Sequence, residues 1–332
     1  MTLEVTRDKL IELAELETMH RAENSGLVSS YLIGSVAAGN PILGDTADVD
    51  LILIHEHEPS TQREIQRLSE YIHLDIYHHP KKRYMQPREL RIDPWIGPSL
   101  SAPVFIYDPQ HFFEWAQAGA RGQFFRSDHV FRRASALFKR ARQAMSLLPL
   151  SNRWLKTYAR IALEATNAVV TLTGKPAAGR RLAIEIEQTT KDAGHPEVYQ
   201  RFLQLLGGDA LNTTLIPQWL SAWGYAFDTA AAISKEPELN PCRRMYYLKG
   251  FQALVDADRP EAILWKLLTT WERAFHTLAK SDNAAPHQAA WDSVRQRLRL
   301  SPKAMNSRAE ELEEHLQSIE HLLSAWAEEV GV

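Results

Sequence analysis

The chain is 332 residues long, with 38 Lys and Arg against 41 Asp and Glu, 45% hydrophobic and 24% charged residues, and one cysteine. At roughly 150 residues per domain that length implies two domains, and Cys242 alone excludes a disulfide scaffold or a cysteine-rich metal site and fits a reducing cytoplasm. A net charge of −3 argues against a strongly basic nucleic-acid-coating protein, and no apolar run approaches the roughly 18 to 20 residues that cross a bilayer, so no membrane span is expected. The charged first 24 residues likewise give no signal peptide, which leaves the cytoplasm as the default location.

Apolar side chains at Leu10, Ile11, Leu13, Leu16 and Met19 predict an amphipathic helix over residues 5–22. Leu27 to Ile33 is rich in β-formers, stops at Gly34-Ser35, and leads into a turn-rich stretch through Gly39, Asn40, Pro41 and Gly44. That pattern predicts a strand followed by a loop of phosphate size. Val49 to His55 is an apolar run of strand length, Ser60 to Tyr71 has helical spacing, Ile72 to His78 is a third strand, and Pro103 to Tyr107 a fourth. From about residue 125 the period shifts towards 3.6, with helices expected over 127–148, 152–173, 177–192, 215–234, 241–256, 259–280 and 306–329. The fold class is therefore α+β: a small mixed sheet with helices on one side over residues 1–125, then an all-α helical bundle over 126–332. The charge divides in the same way, with 11 basic and 18 acidic residues in the first part and 27 and 23 in the second.

One set of residues carries chemistry. Gly34-Ser35 precedes Asp48-Val49-Asp50 at the start of a strand, and Asp75 lies within His73-Leu74-Asp75-Ile76-Tyr77 on the next. Strand side chains alternate, so Asp48 and Asp50 project from one face about 7 Å apart at a rise of about 3.3 Å per residue. Two ionised acids on an otherwise apolar strand are costly unless cations or water neutralise them, and hard oxygen ligands suit Mg²⁺ or Mn²⁺. Asp75 on the same face would complete a three-carboxylate site for two metal ions, able to position an attacking hydroxyl and stabilise a leaving pyrophosphate. A glycine at 34 lets the backbone approach a phosphate, and the Ser35 hydroxyl with the amides after it can donate to phosphate oxygens. The other common phosphate loop is absent, since Thr173-Gly174-Lys175-Pro176 lacks the upstream glycine.

The ordered set Ile33-Gly34-Ser35-Val36-Ala37-Ala38-Gly39, Asp48-Val49-Asp50-Leu51 and Leu74-Asp75-Ile76 resembles the nucleotidyltransferase superfamily that includes DNA polymerase β and the aminoglycoside nucleotidyltransferases. The resemblance is specific over residues 27–80. It implies a metal- and NTP-binding domain over 1–125 and a helical acceptor-binding domain over 126–332. Asp48, Asp50 and Asp75 would be catalytic and ligate metal, and Gly34, Ser35 and Gly39 would bind the nucleotide. The implied reaction transfers NMP, with AMP expected, from ATP or another NTP to a hydroxyl of a small molecule such as an aminoglycoside, with two Mg²⁺ ions, or Mn²⁺, as cofactor and pyrophosphate released. A protein-AMPylating regulator or antitoxin and a non-catalytic nucleotide sensor are the alternatives. An extended nucleic-acid partner is not expected, because no basic-aromatic stretch suited to a strand is present.

Beyond residue 80, Ile161 to Lys175 with Arg180-Arg181-Leu182-Ala183 is similar to the helical domain of streptomycin/spectinomycin adenylyltransferases, and Arg88-Glu89-Leu90 with Trp95 to the segment carrying their general-base glutamate. Here that position holds Pro94, with Asp93 beside it as either a shifted base or a turn aspartate before proline. Glu164, Glu185 and Glu187 are further base candidates. His55-Glu56-His57-Glu58 with His73, His78 and His79 gathers histidines near the site, but no His-Glu-x-x-His helix exists, and solvated strand ends are expected over a zinc site. His73, on the face of Asp75, is a candidate hydrogen-bond partner for it. Basic candidates for the triphosphate are Lys81-Lys82-Arg83, Arg132-Arg133, Lys139-Arg140, Lys175, Arg180-Arg181 and Arg243-Arg244. Arg308 with His315, and the tryptophans at 219, 223, 265 and 271, are expected to be structural.

Overall fold

The structure, a computed structural model, describes residues 5–23 and 26–332. The chain forms two compact units, one running up to Phe124 and taking in Met245–Ala253, the other comprising Phe125–Arg244 and Leu254–Val332.

The first unit holds α1 (Arg7–Ala22), β1 (Leu27–Leu32), the single turn α2 (Gly34–Ala37), β2 (Ala47–His55), β3 (Arg63–Arg67), β4 (Ile72–Pro80), the short α3 (Pro87–Leu90) and α4 (Ile96–Ser101), β5 (Val104–Tyr107) and α5 (Phe112–Arg121). Its five-stranded sheet runs in the order β3-β4-β2-β1-β5. β2 and β4 are parallel while the other pairs are antiparallel, so the sheet is mixed. β2 is apolar on both faces because both faces are covered. Val49, Leu51 and Leu53 pack with Leu10 and Ala14 of α1, whereas Ile52 and Ile54 pack with Leu90, Leu100, Phe113 and Ala116 from α3, α4 and α5. Helices therefore lie on both sides of the sheet, where one side was expected. The short helices responsible carry too few turns for their periodicity to register in the sequence.

The stretch from Ser60 to Tyr71, expected to be helical, is instead an edge strand and a turn. β3 pairs antiparallel with β4, and the Ser69 hydroxyl accepts from the amides of Tyr71 and Ile72 where the chain reverses. Glu64, Ile65 and Leu68 have helical spacing, yet the hydrogen bonds offered by the open edge of β4 outweigh so short a helical pattern.

The second unit is helical throughout: α6 (Ser127–Leu147), α7 (Trp154–Thr171), α8 (Leu182–Asp192), α9 (Pro196–Leu205), α10 (Ile216–Ala231), α11 (Arg243–Asp256), α12 (Leu264–Lys280), α13 (Ala285–Arg297) and α14 (Met305–Val330). The middle of α11 groups with the sheet unit. α7 is buried along most of its length, and its Asn167 amide pairs with both backbone groups of Ala177. α9 and α13 fall between the expected helices. Each begins at or next to a proline, Pro196 and Pro286, which at a first helical position starts a helix instead of breaking one. Among the described residues no helix is long and apolar enough to cross a membrane.

Candidate functional site

Parallel pairing of β2 with β4 sets Asp50 opposite Asp75 and Asp48 opposite His73. One oxygen from each of Asp48, Asp50 and Asp75 lies within 4.8 Å of the others. Alternation puts all three on one face, and Val49 and Leu51 on the other are fully buried, which fixes the strand's facing. Three carboxylates this close repel one another unless positive charge is supplied. Part of it comes from the protein. Arg63 on β3 grips Asp75 with both arms of its fork, Nε donating to Oδ1 at 2.7 Å and Nη2 to Oδ2 at 2.7 Å. The Tyr77 hydroxyl donates to Oδ2 at 3.4 Å, and the Arg63 guanidinium lies 4.8 Å from the centre of the Tyr77 ring. Asp75 is only 2% exposed, so its orientation is fixed by this fork and by packing.

The Gly34-Ser35 turn closes on the same carboxylates. Gly34 has φ +68°, and a Cβ at that position would stand 2.0 Å from Asp50 Oδ2. No other residue satisfies both the backbone conformation and that approach. The Ile33 amide donates to the Asp50 carbonyl at 3.0 Å, tying the turn to β2. The Ser35 hydroxyl oxygen is buried and has no hydrogen-bond partner among the described residues. Gly39 follows where the chain leaves α2, its amide donating to the Val36 carbonyl. The middle of α11 borders this region: the Tyr246 ring stands edge-on to His73 with centroids 4.9 Å apart, and a Cβ on Gly44 would strike the Lys249 carbonyl.

These features fit a hard divalent cation. The donors are all carboxylate oxygens, and the backbone at Gly34 is stripped of any side chain where it meets Asp50. The cluster could hold one divalent metal ion.

The other candidates divide sharply. Asp93 Oδ1 accepts from the amides of Trp95 and Ile96 at 2.8 and 2.7 Å, which is the turn-capping role. Arg308, 3% exposed, donates to the carbonyls of Gln204, Leu298 and Arg299, while His315 meets the Thr166 hydroxyl at 3.2 Å. Burial, with the charge of Arg201, lowers the His315 pKa to about 4, so that ring is neutral and structural. Glu187 is tied to Arg259, and Glu185 accepts from the Ala178 amide. Glu164, mostly buried on α7, has its pKa raised by desolvation against the opposing charges of Arg160 and Arg140. Lys81 and Lys82 pair with Glu56 and Glu58 near the far end of β2. Trp219, Trp223 and Trp271 are core residues, and the Trp223 ring nitrogen donates to Thr270.

Arg63, the residue in closest charge contact with the cluster, was missed because its segment has helical spacing. Its signal was the alternation Arg63-x-Ile65-x-Arg67, which on a strand puts Arg63 on the face of Asp75.

No protein-family model and no curated protein matches the chain. Among solved structures it is similar to a nucleotidyltransferase-like protein from Exiguobacterium sibiricum 255-15, at 12% identity and a TM-score of 0.31, over 93% of this chain and 89% of that one. At that score the likeness carries no weight for function, which rests on the site's own residues.

Proposed function

We propose that the chain is a metal-dependent nucleotidyltransferase that moves the NMP of an NTP, with ATP the first candidate, onto a hydroxyl of a small-molecule acceptor and releases pyrophosphate. The observation that carries this reading is the convergence of Asp48, Asp50 and Asp75 within 4.8 Å beside a glycine whose Cβ position is filled by Asp50. Asp48, Asp50 and Asp75 would hold Mg²⁺ or Mn²⁺, in one or two ions. When bound, the cation supplies charge stabilisation for the triphosphate and lowers the pKa of a coordinated hydroxyl. Gly34 would leave the backbone open to a phosphate, and the buried Ser35 hydroxyl would donate to one of its oxygens. Gly39 ends the turn and frees the chain after α2. Asp75, held in one orientation by Arg63, would ligate the cation nearest the attacking hydroxyl and help remove its proton. The helical unit, residues 126–332 by the sequence reading, would carry acceptor recognition.

One observation favours a second reading, a nucleotide-binding protein without transfer. Both Asp75 oxygens are already engaged by Arg63. Incubation with Mg²⁺ and each α-labelled NTP, against a panel of hydroxylated small molecules, aminoglycosides included, and cell lysate, separates the readings. Label on a small molecule supports the proposal. Label on a lysate protein moves the acceptor to a protein hydroxyl, and tight Mg²⁺–NTP binding with no label anywhere supports the sensor.

A further inference from the structure

The strands that carry the carboxylates also carry histidines at their opposite end. Residues 50 and 55 on β2 are separated by about 16 Å at strand rise, so this is a different place in the fold. A cavity of about 550 Å³ opens there, lined among others by His20, Arg21, His55, His57, Glu64 and His78. Within it the His55 and His78 rings lie 27° from parallel, and His55 Nε2 meets His78 Nδ1 at 2.9 Å. The other nitrogen of His78, Nε2, stands 3.1 Å from Glu64 Oε1, and Glu64 is in turn paired with Arg21 of α1.

The chain of contacts assigns the tautomer. Glu64 is an acceptor, its carboxyl held below the usual range because the Arg21 charge and hydrogen bond outweigh the effect of burial. His78 therefore carries its proton on Nε2 and presents the Nδ1 lone pair to His55. A carboxylate behind a histidine whose second nitrogen points forward is the arrangement that orients imidazoles for metals. Two imidazole nitrogens on one tetrahedral ion, each at about 2.0 to 2.1 Å, stand about 3.3 Å apart. Reaching that separation takes a widening of the observed contact by about 0.4 Å, with each ring turned so that its lone pair points at the ion and no longer along the hydrogen bond.

We propose that His55 and His78 form the nucleus of a second cation site, specific for a borderline transition ion such as Zn²⁺; no third ligating atom converges on the pair among the described residues, so the third protein ligand would come from His57 or His20, which line the same cavity, by a change of side-chain rotamer. Imidazole donors select such ions over Mg²⁺, while the all-oxygen cluster selects the reverse. The site would tie the ends of β2 and β4 together, and α1 with them through Arg21 and Glu64.

The test uses the full chain in excess Mg²⁺, titrated with Co²⁺ as a visible probe and with Zn²⁺ in a calorimeter. The expected result is one equivalent of Zn²⁺ bound and an intense visible Co²⁺ band of the four-coordinate, nitrogen-ligated type. The band should disappear in both His55→Ala and His78→Gln and persist in Asp50→Asn. Loss of Co²⁺ binding in only one of His57→Ala and His20→Ala identifies the third ligand. The wild-type titration stands without any variant: no Zn²⁺ uptake in excess Mg²⁺ overturns the proposal. So does a band that survives in both His55→Ala and His78→Gln, or one that vanishes in Asp50→Asn.

Discussion

The two ends of the β2–β4 pair solve opposite problems with the same backbone. At one end Asp48, Asp50 and Asp75 crowd three like charges, and at the other His55 and His78 share a proton across 2.9 Å. In both places a residue on β3 steadies the group on β4: Arg63 grips Asp75, and Glu64, next in the chain and on the other face of β3, reaches His78. A cation holds an anion in place and an anion orients an imidazole, so one edge strand complements both ends. The parallel register sets Asp50 directly opposite Asp75, while His55, opposite Pro80, and His78, opposite Leu53, meet diagonally on the other face.

The largest effect should fall on the carboxylate end. Asp48→Asn and Asp50→Asn should each lower nucleotidyl transfer by about three orders of magnitude, the scale of several kcal/mol of charge stabilisation. Their melting temperatures should hold or rise as mutual repulsion falls. Transfer at the wild-type rate in both would break the distinction between the two ends. Next comes Arg63→Ala. Removing one partner of a buried ion pair costs about 3–5 kcal/mol, and because Arg63 is itself about one-fifth exposed, a loss near the lower limit is expected in urea unfolding without divalent ions. Added Mg²⁺ should recover part of that loss, since it supplies the charge Arg63 provided. Equal destabilisation with and without Mg²⁺ would mean that the fork is purely structural.

Gly34→Ala should cost about 1–3 kcal/mol, from a left-handed backbone angle and a side chain forced against Asp50. It should also weaken Mn²⁺ binding, which calorimetry would read separately from stability. The smallest effect at neutral pH belongs to His79, one residue beyond His78 and on the other face of β4. Burial, then the charges of Arg83 and His78, lower its pKa to about 3, and its Nδ1 contacts the Tyr84 hydroxyl at 2.6 Å. A histidine depressed in the folded state adds stability that is complete above about pH 6.5 and lost as pH falls towards 3. His79→Gln should flatten the acid limb of the stability curve by about one proton in that window. An unchanged slope in urea melts across the window would place the acid sensitivity elsewhere.

How far the sequence revealed all this depends on the range of the interaction. Asp48 and Asp50 were legible because strand alternation is local, and Gly34-Ser35 because a strand ends there. The long apolar periods of α6, α7, α12 and α14 were legible for the same reason. β3 was not, since its identity comes from hydrogen bonds to β4, and Arg63 was hidden with it. The fork on Asp75 needs β3 paired with β4, and the facing of His55 with His78 needs β2 beside β4. Asp93 could be read as a base or a cap until the amides of Trp95 and Ile96 were seen to use its oxygen. The short helices on the second face of the sheet were hidden by their length, and α9 and α13 by prolines that begin them.

The central claim is that the three aspartates hold a divalent cation, and Mn²⁺ titration followed by loss of the free-ion electron paramagnetic resonance signal tests it most directly. With NTP present and the histidine end saturated with Zn²⁺, the wild-type chain should bind Mn²⁺ together with the nucleotide. Asp48→Asn, Asp50→Asn and Asp75→Asn should each lower that affinity by tenfold or more, on the order of the effect of removing one ligand or its support. Unaltered Mn²⁺ binding in all three variants, each still folded, would contradict the account.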